Sequence, residues 1–311
     1  MLLFTQLFLA FAATAFAIEC PPSDKLYPCS CEEDEGHTIV QCEGSSLSEL
    51  EPAVKNTIGH NVSFYFTRCN LGDIPSDFLK GHISSRIKFE ECVVTSFGET
   101  PFSGLENSLE SLYIYSSIDR SVTKMDNFNL KHLHKLQYFS APYNDIGELG
   151  NHWFEGGPVS LTQVDLDGNK IESFGATALA SLVNLEQLYV GDNQIKDVSR
   201  SVLPNPMRAL WVLEAKSNLI EELPSDAFEG FPNLKIVNFG ENKLKSIPEN
   251  VWGKVWSQLE SVYLEGNNIV CDANIKWIYS QKLPDTFDGK CGPGNDLEGR
   301  DLKSLKLEDF E

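Results

Sequence analysis

Leu161-Thr-Gln-Val164-Asp-Leu166-Asp-Gly-Asn169-Lys-Ile171 is followed 24 residues later by Leu185-Glu-Gln-Leu188-Tyr-Val190-Gly-Asp-Asn193-Gln-Ile195. Both fit one template, L-x-x-L-x-L-x-x-N-x-I/L, in which the alternating apolar residues describe a short strand with one buried face. Three more copies follow, with asparagine at 218, 242 and 267. Upstream, Leu136-Gln-Tyr-Phe139-Ser-Ala141-Pro-Tyr-Asn144-Asp-Ile146 fits with substitutions, and Leu109-Glu-Ser-Leu112-Tyr-Ile114-Tyr-Ser-Ser117 fits only in its first half. Two earlier copies, Phe64-Tyr-Phe66-Thr-Arg-Cys69 and Ile87-Lys-Phe89-Glu-Glu-Cys92, carry cysteine where asparagine is expected. The slots therefore fall at 69, 92, 117, 144, 169, 193, 218, 242 and 267, which is 198 residues in eight steps, or 24.75 per step. A single unit of this size cannot bury its own apolar face, so the units must stack into a parallel sheet over a continuous core. A second set of anchors, Phe78, Phe102, Phe128, Trp153 or Phe154, Phe174, Phe228 and Trp252, falls in the other half of each unit and reads as core.

The template resembles that of the leucine-rich repeat proteins. The resemblance implies an α/β leucine-rich repeat solenoid, a horseshoe of about nine rungs with a parallel concave sheet and disulfide-stapled caps. An open solenoid end exposes apolar surface and sheet edge, so both ends need covers. Ahead of the first rung stands Cys20-x8-Cys29-x-Cys31-x10-Cys42, for which spacing alone leaves three connectivities open. The segment is similar to the cysteine-rich N-terminal cap of extracellular repeat proteins, and that similarity implies Cys20–Cys31 and Cys29–Cys42. Asn267-Asn-Ile-Val-Cys271 through Trp277 resembles the matching C-terminal cap, but Ala273 stands where a second cysteine is expected. One disulfide, Cys271–Cys291, is expected there. The domain reading is a signal peptide at 1–17, an N-terminal cap at 18–55, repeats at 56–270, and a C-terminal cap with an acidic tail at 271–311.

Cys69 and Cys92 occupy equivalent slots on neighbouring rungs. Adjacent strands lie about 4.8 Å apart, and a disulfide needs Cα atoms about 4.4–6.8 Å apart. A Cys69–Cys92 bridge is therefore expected, with two buried thiols filling the slots as the alternative.

The compartment follows from the N-terminus. Met1–Ala17 is an apolar run ending in Ala15-Phe16-Ala17, with the first acid at Glu19, the form of a secretory leader. A buried N-terminal helix or strand is the competing reading. No later stretch reaches the roughly 20 apolar residues needed to cross a bilayer, and the charged tail Asp301–Glu311 is neither a GPI signal nor a retention signal. The expected protein is secreted and extracellular. Asn61-Val62-Ser63 is the single N-x-S/T acceptor, so Asn61 is a candidate glycosylation site.

With 25 Lys+Arg against 45 Asp+Glu, the formal charge is −20. Such a surface repels phosphate backbones, which argues against nucleic acid as partner. The sequence has no G-x-S-x-G, H-E-x-x-H, phosphate-cradling glycine loop or C-x-x-C. His132 and His134 form an H-x-H pair without a nearby acidic or thiol partner in sequence. Asp165-Leu-Asp167-Gly-Asn169 imitates a calcium loop, but its glycine is one place early and the twelfth position lacks Glu. Glu32–Glu35 reads as a solvated loop. No enzyme activity, cofactor or metal is expected.

What remains is the solvent side of the strands. The central outward position reads Tyr65, Lys88, Tyr113, Ser140, Asp165, Tyr189, Glu214, Asn238 and Tyr263, flanked by Tyr115, Tyr138 and Tyr143. Seven of nine tyrosines thus fall on one surface. Tyrosine offers large contact area and a polar tip at low entropic cost; its preference for exposed strand positions is the plainer explanation. The expected binding residues are Tyr65, Lys88, Tyr113, Tyr115, Tyr138, Asp165, Tyr189, Glu214 and Tyr263. Early rungs mix Arg68, Arg86, Lys88, Glu90 and Glu91. Later ones carry Asp165, Asp167, Asp192, Glu214, Glu241 and Glu265 against Lys216, so the partner is expected to be another extracellular protein, neutral or basic at its docking surface. The layout, including the opening Cys20-Pro-Pro-Ser-Asp-Lys-Leu-Tyr-Pro-Cys29-Ser-Cys31, resembles the group of secreted arthropod proteins typified by the non-catalytic subunit of oplophorus-luciferin 2-monooxygenase. That resemblance implies a non-enzymatic subunit that stabilises a small secreted catalytic partner. The alternative is a matrix or recognition protein that binds growth factors, matrix chains or microbial surfaces.

Overall fold

In a computed structural model, residues 19–34, 37–294 and 296–310 are described. The expected leader and Glu35 of the acidic run lie outside them. The nine template copies form nine strands, Val62–Thr67, Arg86–Glu90, Ser111–Tyr115, Tyr138–Ser140, Gln163–Asp165, Gln187–Tyr189, Val212–Glu214, Ile236–Asn238 and Ser261–Tyr263. They pair in parallel and in chain order. The caps extend this sheet to 12 strands. At the start, the antiparallel hairpin Ser30–Asp34 and His37–Glu43 docks its second strand in parallel on Val62–Thr67. At the end, Thr286–Phe287 pairs with Ser261–Tyr263.

Alternation decides what each strand buries. In Val62–Thr67, Phe64 and Phe66 are fully buried while Tyr65 between them is half-buried. Fully buried Leu112, Phe139, Val164 and Val237 repeat the pattern rung by rung. Behind the strands the chain returns through turns and short 3-10 segments. Apart from Leu47–Lys55 in the N-terminal cap and Glu249–Trp252, the described residues hold no α-helix, so the return halves are less helical than the α/β expectation implied. Of the expected anchors, Phe102, Phe128, Trp153, Phe154, Phe228 and Trp252 are buried, whereas Phe78 and Phe174 are only partly so.

The slot residues explain how the chain leaves each strand. Asn193 Nδ2 donates to the Leu166, Val190 and Gly191 carbonyls (3.0, 3.1 and 2.8 Å), and its Oδ1 accepts from the Asn169 and Ile171 amides (both 2.9 Å). One side chain thereby satisfies buried backbone groups of two rungs. In all nine rungs the residue just before the slot has positive φ: Arg68, Glu91, Ser116, Tyr143, Gly168, Asp192, Ser217, Glu241 and Gly266. Only two of these are glycine, so the slot bonds hold seven side-chain-bearing residues in the left-handed region that L-residues normally avoid.

The expected Cys69–Cys92 bridge is not formed: both residues are free and buried. Each thiol does the asparagine's job instead. Cys69 Sγ donates to the Cys42 and Thr67 carbonyls (3.3 and 3.4 Å), and Cys92 Sγ to those of Phe66 and Glu90 (3.3 and 3.5 Å). These are the same offsets, one rung back and two residues back, that Asn169 uses with Ala141 and Asp167. Strand spacing permitted the bridge; parallel side chains already aimed at carbonyls oppose it. Ser117 is the third substitute, accepting from the Cys92 amide at 2.9 Å and donating to the Tyr115 carbonyl at 2.8 Å.

At the caps, disulfides join Cys20 to Cys31, Cys29 to Cys42 and Cys271 to Cys291. The C-terminal segment is tied down by a bidentate Arg300–Asp309 pair (2.6 and 3.2 Å) and by Phe310 stacked on Tyr279.

Candidate functional site

The pleat places the outward residues of every strand on the concave face, and pairing aligns them. Tyr65, Lys88, Tyr113, Ser140, Asp165, Tyr189, Glu214, Asn238 and Tyr263 are direct register partners from strand to strand, so they form one unbroken row. All nine are half-buried. Tyr138 lies in the parallel row two residues away, opposite Ser111 and Gln163, and is exposed. Tyr115 packs edge-on against Tyr143 at 5.6 Å between ring centres.

The row has two electrostatic halves. At the N-terminal end Arg86 Nη1 donates to the Tyr65 hydroxyl at 3.1 Å, which raises the Arg86 pKa further, and Lys88 pairs with Glu90 at 2.8 Å. Arg68 turns away to pair with Glu43, leaving the row. In the middle rungs acids gather. Asp165 accepts from Ser140 Oγ at 2.8 Å and from the Asp167 amide at 3.1 Å. Asp167 accepts from the Gly191 amide at 2.6 Å, and Glu214 from Asn238 Nδ2 at 2.9 Å. Burial first, and Asp165 second, push the Asp167 carboxyl up to about 6. Burial likewise raises Glu214, and burial with Asp165 raises the Tyr189 hydroxyl between them. Lys216 is spent on Glu241 at 3.1 Å. The middle of the face is thus an uncompensated acidic surface around a tyrosine, suited to a cationic or hydrogen-bond-donating partner group.

Gly191 is a site residue that sequence reasoning missed. A Cβ there would lie 3.2 Å from Asp167 Oδ1 and 3.3 Å from the Lys216 carbonyl, so glycine leaves room for its own amide to hold Asp167. Its signal was a glycine inside a strand-end position, which also fits plain turn chemistry. The histidine pair makes no site: His132 bonds the Pro101 carbonyl at 2.8 Å and His134 is solvent-exposed. Among the described residues no group of three His, Cys, Asp or Glu is arranged to hold a metal, and no helix is long and apolar enough to cross a membrane. Asn61 is exposed at the edge of the first rung strand.

The raised Asp167 carboxyl predicts a pH effect. The folded state holds this proton more tightly than the unfolded chain, so the group's contribution is favourable below about pH 4 and is lost as pH rises through about 6. Partial exposure limits the loss to about 1–2 kcal/mol. Asp167→Asn keeps the acceptor for Gly191 but cannot ionise. Denaturation at pH 4 and pH 7 should show the wild type losing that much more stability than the variant across the interval; equal changes would contradict the assignment.

A leucine-rich repeat family model matches residues 134–195 and 208–269. The chain folds as a leucine-rich repeat solenoid. Among curated proteins, the Oplophorus gracilirostris oplophorus-luciferin 2-monooxygenase non-catalytic subunit is 22% identical over 321 residues, spanning 92% of this chain and 87% of that protein. Mouse Toll-like receptor 9 is 30% identical over 156 residues, but the match spans only 15% of the receptor, and the 26% match to bovine osteomodulin spans 44% of that protein. Among solved structures, a chain of the octameric complex of Latrophilin 3, Unc5D and FLRT2 (LRR) superposes with TM-score 0.65 at 17% identity, over 93% of this chain and 98% of that one. The TLR13–ssRNA13 complex gives 0.59 at 21% identity over 72% of this chain and 31% of the receptor chain. Both structural likenesses establish the leucine-rich repeat solenoid and nothing about ligands.

Proposed function

We propose that this chain is a secreted, non-enzymatic binding protein that holds a protein partner on its concave face, as a stabilising subunit of a secreted enzyme complex. The observation that carries the subunit reading is the end-to-end alignment with a protein named a non-catalytic subunit, over 92% of one chain and 87% of the other. The choice of face rests on the register-aligned row of tyrosines and acids, a half-buried surface of mixed apolar and polar character whose middle acids Asp165, Asp167 and Glu214 accept hydrogen bonds from neutral donors. Large aromatic residues at the centre of a concavity supply the anchors that dominate protein association. The acidic middle rungs call for a neutral or basic docking surface, and the charge of −20 disfavours nucleic acid. A glycan on Asn61 would sit at the N-terminal edge of this face, beside the row.

A matrix or recognition role is the second reading, favoured by the alignments with osteomodulin and with chicken lumican, the latter 25% identical over 67% of this chain. Co-purification from native secretions separates the two: an enzyme partner supports the first, a matrix chain or growth factor the second. On the captured partner, the Tyr189→Ala/Tyr263→Ala double variant is expected to lose at least about tenfold in affinity, the scale of a single anchor residue. Its melting temperature should hardly move, because neither side chain belongs to the core. Unchanged affinity, with convex-side substitutions abolishing capture instead, would overturn the concave assignment.

A further inference from the structure

The interior of the solenoid is not filled uniformly. Buried aromatic rings touch one another in a ladder that runs from Phe64 through Phe89, Phe97 and Phe128 to Phe154, and resumes at Phe228 with Phe239, Trp252 and Trp256. Between these two stretches the equivalent space is lined by aliphatic and small side chains, among them Leu179, Val190, Val202, Ala215 and Ala227. Smaller residues on successive rungs leave volume that no neighbour fills. A cavity of about 80 Å³ lies there, its lining completed by the rings of Phe174, Phe228, Phe231 and Phe239.

The cavity reaches solvent. Inward strand residues elsewhere, such as Val164 and Val237, are fully buried, but Leu188 is 4% and Val190 5% exposed, and Leu213 at the same inward position is only half-buried. Its rim residues Asp197, Val198 and Leu223 also line a wider surface groove with Lys196 and Lys243, which supplies a path inward. The one cation on the wall is already engaged. Arg200 Nε donates to the Glu229 carbonyl (2.7 Å), Nη1 to Leu203 (3.1 Å) and Nη2 to Pro204 (2.7 Å), while its guanidinium lies 4.7 Å from the Phe231 ring centre. An engineered apolar cavity of roughly twice this size stays dry and takes up benzene or xenon.

We propose that this cavity, between the rungs of Asn193 and Asn218, is a binding site for a small uncharged apolar group, a single ring or a short alkyl chain. Of the polar side chains in the lining, Asp197 and Ser199 stand exposed at the mouth and the Arg200 guanidinium is tied to the backbone, so a charged ligand carried in among the apolar residues would lose its hydration without gaining a partner there. The site is separate from the concave face: it opens on the flank, behind the strands.

Toluene, with benzoate and benzylammonium as charged analogues of similar size, tests this on the full chain by calorimetry and thermal denaturation. Toluene should bind saturably and raise the melting temperature by about 4 °C at roughly a hundredfold excess over its Kd, while neither ion does so. Ala227→Leu and Ala215→Leu each add three carbons inside the cavity and should abolish the rise. Leu213→Ala enlarges the cavity and should give a larger toluene-induced rise than the wild type, from a lower starting temperature. No saturable toluene binding in the wild type, equal binding of benzoate, or retention of the rise in the folded leucine variants would overturn the proposal. If the leucine variants do not fold, Leu213→Ala decides, and a rise no larger than that of the wild type sinks the site.

Discussion

Asn193→Ala is expected to destabilise the folded chain by about 3–5 kcal/mol, far beyond the usual cost of removing a polar side chain. The reason is which groups lose their partners. The Leu166, Val190 and Gly191 carbonyls each keep another donor, from Asn169 Nδ2, Asn218 Nδ2 and the Gly168 amide. The Asn169 and Ile171 amides have only Asn193 Oδ1 among their hydrogen-bond partners, and both residues are fully buried. Two orphaned buried donors at about 1–3 kcal/mol each set the scale. Asp192, held at φ 50° just before the slot, loses its restraint as well. Two comparisons make the claim specific. Asn267→Ala, at the half-buried last slot where one amide depends on Oδ1, should cost roughly half as much. Asn193→Ser should fall between wild type and Asn193→Ala, because Ser117 shows that a hydroxyl can accept one amide and donate to one carbonyl. Denaturant unfolding measures all three, and equal losses at 193 and 267 would rule out the orphaned amides as the cause.

The second large effect concerns the open end of the sheet. Replacing both Cys271 and Cys291 by Ser should remove about 3 kcal/mol, the loop-closure value for a loop closed at a sequence separation of 20. The loss should be local, because a solenoid transmits stability mainly between neighbouring rungs. Thr286–Phe287 would detach first, exposing the edge of Ser261–Tyr263 together with Trp256, which packs its ring on Trp277 and Phe287. Amide exchange should accelerate in the strands at 236–238 and 261–263 while those near 62–90 keep their protection. Uniform acceleration along the chain would mean that the cap does not act as an end cover.

The period and alternation of the sequence determined the architecture because each template copy specifies its own strand and its own buried face. Register followed too: units of nearly constant length stack equivalent positions, and the row from Tyr65 to Tyr263 is the direct consequence. The outward placement of Asp165 and Tyr189 needed only the pleat. Other features depended on groups that the template does not link. Cys69 and Cys92 matched a disulfide in spacing, yet their thiols point at the carbonyls of the preceding rung, and only the assembled rungs reveal that competition. Asp167 looked like any surface acid until burial, and Asp165 beside it, raised its carboxyl against the opposing pull of the Gly191 amide. The left-handed residue before each slot carried no glycine signal in seven rungs of nine, because the asparagine, serine or thiol behind it supplies the restraint. The cavity, finally, is a sum of small side chains from several turns of the solenoid; each is ordinary in its own repeat, and packing density is a property of the neighbours that meet.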